Sequence, residues 1–174
     1  MLIKDLLLRN PLRLVESEGE EILSIGAFGA ILARAGVGKT AFVIQLALNE
    51  MLRGQNVLHI SLEDPVTKVK LWYEELFHLL AQQYDVKQVH QLWEKLAPHR
   101  FIMTFQVEGF SVPKLEERLT DLTSQNIFLP RMIMIDGLPF EDDVRNVLTD
   151  LKSMSERFDS RMWFTIKTHR HELP

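Results

Sequence analysis

The chain has 174 residues, of which 46% are hydrophobic and 25% are charged, and its formal net charge is −4. This length suits one α/β domain with a single core and is short for two domains. The chain has no cysteine, which excludes disulfides, thiol catalysis and thiolate metal sites, and its acidic balance provides no general attraction to nucleic acid or to an anionic membrane.

We assign residues 1–174 to a single domain. Residues 1–10 show an amphipathic pattern that predicts a short helix ending near Pro11, and a polar, acidic lead-in follows to about residue 20. Charged residues interrupt the apolar positions, and no apolar run is long enough to cross a bilayer. A cytoplasmic location is therefore expected.

Short apolar segments alternate with longer helical patterns along the rest of the chain. The patterns predict strands at 27–32, 56–61, 100–105, 132–136 and 161–167, and helices at 41–53, 65–84, 86–96, 111–123 and 142–158. Gly54 is a typical helix stop and Ser111 a typical helix cap. The tryptophans and Tyr73 are interpreted as packing residues. The alternation predicts a parallel sheet with helices on both faces.

A glycine-containing loop connects the first predicted strand to the first predicted helix. It reads Ala33-Arg34-Ala35-Gly36-Val37-Gly38-Lys39-Thr40, which is the phosphate-binding pattern G-x-x-x-x-G-K-[ST] with Ala33 in place of the first glycine. Gly36 and Gly38 allow backbone N–H groups to turn inward around phosphate oxygens. The preceding strand and the following helix argue against a glycine turn that matches the pattern by chance.

Lys39 and Thr40 provide the side-chain chemistry of such a loop. The Lys39 ammonium can bind the β- and γ-phosphates of a nucleotide, which also makes Lys39 a catalytic candidate, and the Thr40 hydroxyl can ligate Mg²⁺. The helix opening at Lys39 directs its positive dipole end at the same anion. We therefore predict that residues 33–40 bind ATP with Mg²⁺.

Asp136 ends an apolar strand and is followed by Gly137, the form typical of a Walker B aspartate. Such a carboxylate lies beside the phosphate loop and holds Mg²⁺, usually through water. The alternative is a cap on the next helix, but the acidic residues at 141–143 are better placed for that cap. We therefore predict Thr40 and Asp136 as the metal-binding residues.

Two further carboxylates follow the second strand in Ser61-Leu62-Glu63-Asp64-Pro65. Because Glu63 lies at the carboxyl end of a parallel strand, it could orient the water that attacks the γ-phosphate. Asp64 is the competing candidate, and either residue could instead cap the helix that begins at Pro65. We predict a catalytic role for Glu63 and a capping role for Asp64.

Polar residues also lie at the end of the fifth strand. If this strand lies between the strands of the loop and of Asp136, Lys167 or Thr168 could sense the γ-phosphate, and Arg170 could reach a neighbouring subunit's nucleotide. The alternative is a basic, solvated tail. His169 and His171 have no third ligand nearby in the sequence, which disfavours a metal site there.

These motifs together resemble the RecA-like ATPases, most closely the branch that contains the DnaB-type replicative helicases and the KaiC-like proteins. In DnaB-type enzymes the loop commonly begins Ala-Arg, as at Ala33-Arg34, and the second strand typically ends Ser-Leu-Glu, as at Ser61-Leu62-Glu63. That glutamate is catalytic in the family. The match runs from Gly29 to Arg170, which is most of the chain.

The resemblance implies a three-layer P-loop NTPase fold whose five-stranded parallel sheet has the order 3-2-4-5-1. It implies that Glu63 and Asp136 lie on adjacent strand tips across from Lys39. The fifth strand of the family ends in a glutamine sensor, and Lys167 stands at that position here.

The chain also departs from that branch. Its members continue into further strands that carry intersubunit arginines, whereas this sequence ends at Pro174, and only a short segment follows Asp136 before the next predicted helix. A primase-binding N-terminal domain is absent as well. We therefore expect an ATP-binding, slowly hydrolysing switch or regulatory module that acts as a homo-oligomer or with a larger protein partner.

Two other functions compete with this hypothesis. A nucleic-acid-dependent motor subunit would show DNA- or RNA-stimulated hydrolysis, but no basic, aromatic groove supports binding to nucleic acid. A small P-loop kinase would need clustered arginines in a lid between the fourth and fifth strands. Only Arg145 and Arg157 occur there, with Arg161 at the start of the fifth strand, so the sequence gives this alternative little support.

Overall fold

The computed structural model of the chain describes residues 23–34, 36–106, 109–139 and 144–167, and of Val144 and Lys167 it describes the backbone. Several predictions lie outside these residues: the N-terminal helix, the polar lead-in, Ala35, the acidic residues at 141–143, and the segment from Thr168 to His171. Within the described ranges, strands and helices alternate as the sequence predicts. The strands are β1 (Phe28–Ala33), β2 (Val57–Ser61), β3 (Arg100–Thr104), β4 (Met132–Leu138) and β5 (Arg161–Lys167). The helices are α1 (Lys39–Leu52), α2 (Val66–Gln83), α3 (Val89–Leu96), α4 (Val112–Ser124) and α5 (Val144–Arg157).

Most helix boundaries follow from local chemistry that the sequence reveals. Helix α1 begins at Lys39, where the loop motif predicts its start and two residues before the apolar pattern at 41–53, and Gly54 lies just beyond its end with a φ of +75°. The Ser111 hydroxyl caps α4 by accepting a hydrogen bond from the Lys114 N–H at 3.4 Å, which confirms its predicted role. Helix α3 begins three residues later than predicted, because residues 87–88 form a turn and the N-cap residue Gln88 has a non-helical backbone, with a φ of −118° and a ψ of +54°.

The five strands form one parallel sheet in the order β1-β5-β4-β2-β3. A sheet can be counted from either edge, and counted from β3 the order is 3-2-4-5-1, so the neighbours are those that the resemblance implies. Strand β5 therefore lies between β1 and β4. Its last residue, Lys167, pairs with Ala33, and Asp136 on β4 pairs with Ser61 on β2. The candidate site residues thus converge at the carboxyl edge of the sheet.

Helices cover both faces of the sheet. Helices α1, α2 and α3 pack on one face, which we call the α1 face, and α4 and α5 pack on the other, the α4 face. Successive strand residues point to opposite faces, so Met132 and Met134 join the core of the α1 face while Ile133 and Ile135 join that of the α4 face. No helix in the described ranges is both long and apolar enough to cross a membrane.

Candidate functional site

The loop between β1 and α1 has the backbone conformation that its glycines permit. Gly36 and Gly38 have φ angles of +80° and +88°, in the left-handed region where side chains other than glycine are strained. A Cβ at either position would meet no other atom within 4 Å, so the backbone angle and not crowding requires glycine. Gly38 immediately precedes α1, and the first turn of that helix faces the loop.

The Lys39 side chain folds back onto the loop. Its ammonium donates hydrogen bonds to the carbonyl oxygens of Ala33 at 2.8 Å and Arg34 at 2.9 Å. These contacts hold a positive charge at the start of α1, where the helix dipole is also positive. The loop therefore combines a fixed cation with a helix N-terminus, an arrangement suited to anions.

Asp136 accepts hydrogen bonds at both carboxylate oxygens. The Thr40 hydroxyl, 96 residues away in sequence, donates to Oδ2 at 2.8 Å, and the Thr165 hydroxyl donates to Oδ1 at 2.5 Å. The Thr165 oxygen in turn accepts the Gly137 N–H at 2.8 Å. This network joins α1, β4 and β5 at the edge of the sheet.

Glu63 reaches the same place from the end of β2. Its side chain lies so close to Gly137 that a Cβ at that residue would be 2.8 Å from the Glu63 Cγ. Gly137 also has a φ of +90° and lies at a register shift between β4 and β5, so both its backbone angle and its close neighbour favour glycine. Glu63 is exposed and faces the cavity together with Asp136.

The predicted capping role of Asp64 is wrong. The residue at the N-cap of α2 is Pro65, and the helix has no side-chain cap. Asp64 instead accepts a hydrogen bond from the Lys68 ammonium at 2.6 Å, and its backbone N–H donates to the Ser61 hydroxyl at 2.9 Å. The lysine one helical turn further on attracts the carboxylate away from the helix N-terminus.

A cavity of about 500 Å³ connects these residues with the outer side of α2. Small-molecule sites usually have volumes of roughly 300–1,000 Å³. One end of the cavity is formed by the loop, Lys39, Thr40 and Asp136, and the other by Trp72, Glu75, Leu76 and Leu79 of α2. The predicted packing role of Trp72 is therefore incomplete, because this half-buried ring contacts the core and also lines the cavity.

A buried polar group lies on the same face of the sheet, below the site. The His59 Nδ1 and the Tyr73 hydroxyl are 3.0 Å apart, and both residues are fully buried. Burial lowers the pKa of His59 from 6.5 to about 4, and Arg100 adds to this effect whereas the charge of Asp136 opposes it. The Arg100 guanidinium lies 4.8 Å from the Tyr73 ring centre and 5.2 Å from that of Trp93, and burial lowers its pKa. His59 is therefore neutral at physiological pH.

The donor set at the carboxyl edge fits a small, hard cation. A hydroxyl from Thr40 and a carboxylate from Asp136 are oxygen ligands of the kind that Mg²⁺ uses with water and phosphate oxygens. The described residues contain no cluster of three histidine, cysteine or acidic side chains, so any cation here would need ligands from a bound phosphate or from water. The hydrogen bond between Thr40 and Asp136 already holds the two oxygens together.

The structure brings most of the predicted site residues to one cavity. Gly36, Gly38, Lys39, Thr40, Glu63 and Asp136 line it. Ala33 and Arg34 contribute carbonyl groups to Lys39, whereas the Val37 side chain is exposed at the loop. The backbone of Lys167 lies beside Ala33.

Sequence reasoning missed Thr165 and the α2 wall of the cavity. Thr165 is a lone polar residue within the apolar run from Met162 to Ile166, and that interruption was the available signal. The wall arises because Leu79 is exposed beyond the core, and because the Trp72 ring, which contacts the core, also borders the cavity.

The sequence matches no protein-family model, and no curated protein matches it.

Proposed function

We propose that this chain is a RecA-like ATPase domain, nearest to the DnaB-type and KaiC-like branch, which binds Mg·ATP and hydrolyses it slowly as a switch or regulatory module. The observation that carries the proposal is the 2.8 Å hydrogen bond from Thr40, at the start of the helix after the glycine loop, to Asp136 on a distant strand. A hydroxyl and a carboxylate in this relation are the protein ligands of magnesium in phosphate-loop proteins.

The loop would bind the triphosphate. Backbone N–H groups around Gly36 and Gly38 and the first turn of α1 would donate to phosphate oxygens, and Lys39 would exchange its two carbonyl contacts for the β- and γ-phosphates. Thr40 and Asp136 would hold Mg²⁺, which neutralises charge on the phosphates when it is bound.

The nucleoside would occupy the α2 end of the cavity. The Trp72 ring, which has the Lys68 ammonium 4.8 Å from its centre, and the side chains of Leu76 and Leu79 offer apolar area, while Glu75 offers an acceptor. Aromatic contact of this kind favours a planar base over a bare polyphosphate. This division of the cavity supports a nucleotide as the ligand.

Glu63 would act as the general base, because it lies beside Asp136 and Gly137 where the γ-phosphate would end. Lys167, at the end of the strand between β1 and β4, would sense that phosphate. Glu63 is exposed to solvent in the single chain, so it lacks the water-excluded surroundings of efficient sites. Slow hydrolysis is therefore proposed, with a second copy or a larger protein as the partner that completes the site.

Thermal unfolding with and without millimolar Mg·ATP tests the proposal. Ligand at about 100 times its Kd stabilises a protein by about 2.7 kcal/mol, which corresponds to roughly 5–10 °C in Tm for a domain of this size. Wild type should show this shift and Lys39→Ala should not. Lys152→Ala, an exposed lysine on α5, is the matched control and should respond like wild type. A wild-type protein that no nucleotide stabilises would overturn the proposal.

A further inference from the structure

Thr165 is a buried hydroxyl with a fixed orientation. It is 0% exposed, and its two neighbours along β5, Phe164 and Ile166, point to the opposite face of the sheet. The Gly137 N–H can act only as a donor, so the Thr165 oxygen must accept from it. The hydroxyl hydrogen is then committed to Oδ1 of Asp136. One threonine thus satisfies a donor and an acceptor at once.

This contact leaves the two Asp136 oxygens with different surroundings. Both threonines border the cavity, but Oδ1 is held by the fully buried Thr165, whereas Oδ2 is shared with the half-buried Thr40, which is itself a proposed cation ligand. Asp136 is itself only 8% exposed, so the carboxylate cannot turn freely. A cation in the cavity would therefore meet one oxygen of this carboxylate and not the pair.

We propose that Thr165 is a positioning residue that sets cation selectivity by confining Asp136 to a single available oxygen. The inference rests on the proposed function, since it concerns the cation that accompanies the nucleotide. Mg²⁺ demands compact octahedral geometry with single oxygens and water, whereas Ca²⁺ accepts six to eight ligands and often takes both oxygens of a carboxylate. A carboxylate with one oxygen withheld favours Mg²⁺ over Ca²⁺.

The test compares three residues at one position. Thr165→Val keeps the shape and the β-branching of the side chain but removes the hydroxyl, and Thr165→Ser keeps the hydroxyl and removes a methyl. ATP affinity is measured by calorimetry with Mg²⁺, with Ca²⁺ and with EDTA. Removing a group that orients a metal ligand typically lowers metal affinity 10- to 100-fold.

Wild type and Thr165→Ser should bind ATP more tightly with Mg²⁺ than with Ca²⁺. In Thr165→Val, we expect the Mg²⁺-supported affinity to fall by roughly tenfold or more and the Ca²⁺-supported affinity to fall less, so that the preference shrinks. An unchanged preference in Thr165→Val would overturn the inference, as would an equal loss in Thr165→Ser. Should the valine variant not fold, Thr165→Ala and Thr165→Ser give the same comparison.

The failure of this inference is distinguishable from failure of the proposed function. If wild type binds ATP with neither cation, the proposed function fails. If wild type binds Mg·ATP and Lys39→Ala does not, but Thr165→Val keeps the wild-type preference, then only the role of Thr165 fails. Affinity in EDTA should be the same in wild type and in Thr165→Val, which checks that the loop and the cavity are intact.

Discussion

The two faces of the sheet are made by the same strands but carry different chemistry. On the α4 face the buried strand residues are apolar, among them Ile60, Ile135 and Phe164. On the α1 face, by contrast, the strands bury a series of polar or charged side chains: His59, Ser61, Asp136, Arg161 and Thr165. Burying such groups costs free energy unless they are paired, and each of these five residues has a hydrogen-bond partner.

The difference shows that two consecutive residues of a parallel strand can have different roles, one in the stability of the core and the other in the site. Ile135 and Asp136 are neighbours in sequence, as are Phe164 and Thr165, yet one of each pair packs on the α4 helices and the other belongs to the site. The α4 face can therefore be a continuous apolar core. The α1 face accepts polar groups near the carboxyl edge, because the open cavity and the first turn of α1 provide their partners there.

The largest expected effect concerns Glu63, on the functional face. Glu63→Gln keeps the shape of the side chain and removes the base, so ATP hydrolysis should fall by roughly 10²- to 10⁴-fold while ATP affinity stays close to that of wild type. Phosphate release and nucleotide binding, measured on the same preparation, check this. Asp64→Asn is the matched control, because Asp64 is the adjacent carboxylate and pairs with Lys68. Equal losses in the two variants would show that general acidity of the loop, and not Glu63 itself, supports hydrolysis.

The next effect contrasts two adjacent residues of β4. Ile135→Ala should lower the free energy of unfolding by about 2–5 kcal/mol and leave the ATP affinity of the folded protein unchanged, because Ile135 is fully buried on the α4 face. Asp136→Asn should lower the free energy of unfolding by less than Ile135→Ala does, and it should abolish the Mg²⁺-dependent part of the ATP affinity. Urea unfolding and calorimetry measure the two quantities. A large loss of affinity in Ile135→Ala would contradict the separation of the faces.

Much of the fold was predictable because its signals are local. Apolar runs and helical patterns predicted every described strand and α-helix, with boundaries shifted by up to three residues, but not the short 3-10 helix Ala97–His99. The glycine loop fixed where α1 begins. The neighbours in the sheet followed from the family resemblance and not from any local pattern. Thr40 and Asp136 are 96 residues apart, so their contact is a property of the strand order.

The remaining features depend on tertiary contacts that no local pattern specifies. Thr165 meets Asp136 and Gly137 only because β5 lies beside β4 in this register. Asp64 could pair with a helix N-terminus or with Lys68, and the sequence does not rank those alternatives. The apolar side of α2 is wider than its contact with the core, so its pattern could not show that Leu79 would be 60% exposed beside the cavity.

His59 gives the polar face a pH dependence that the apolar face lacks. Folding lowers the pKa of this residue from 6.5 to about 4, so the unfolded chain binds a proton between these values that the folded chain does not. His59 therefore does not lower the free energy of unfolding above pH 6.5. As the pH drops from 6.5 towards 4, protonation of His59 in the unfolded chain lowers that free energy by up to about 3 kcal/mol, with no further loss below pH 4. Tyr73, Arg100 and Asp136 are the titratable groups that act on it.

Urea unfolding at a series of pH values measures this effect. His59→Gln, which can still bond to the Tyr73 hydroxyl but does not titrate, should unfold with a shallower pH dependence than wild type between pH 6.5 and 4. Ile60→Val, the next residue on the apolar face, should lose about 0.5–1.5 kcal/mol equally at every pH. If the free energy of unfolding depends on pH equally in wild type and in His59→Gln, the buried histidine is not the source of that pH dependence.

The smallest expected effect comes from replacing glycines, and it distinguishes backbone strain from crowding of the Glu63 side chain. Gly137 and Gly54 both have left-handed φ angles, +90° and +75°, so alanine at either should cost roughly 1–2 kcal/mol in stability. Only at Gly137 would the new methyl meet another residue, the Glu63 side chain, whereas nothing lies within 4 Å of it at Gly54. Gly137→Ala should therefore displace Glu63 and slow ATP hydrolysis, and Gly54→Ala should leave the rate unchanged. Equal rates in the two variants would mean that hydrolysis does not depend on where Glu63 lies, and this would remove the main chemical distinction between the two faces.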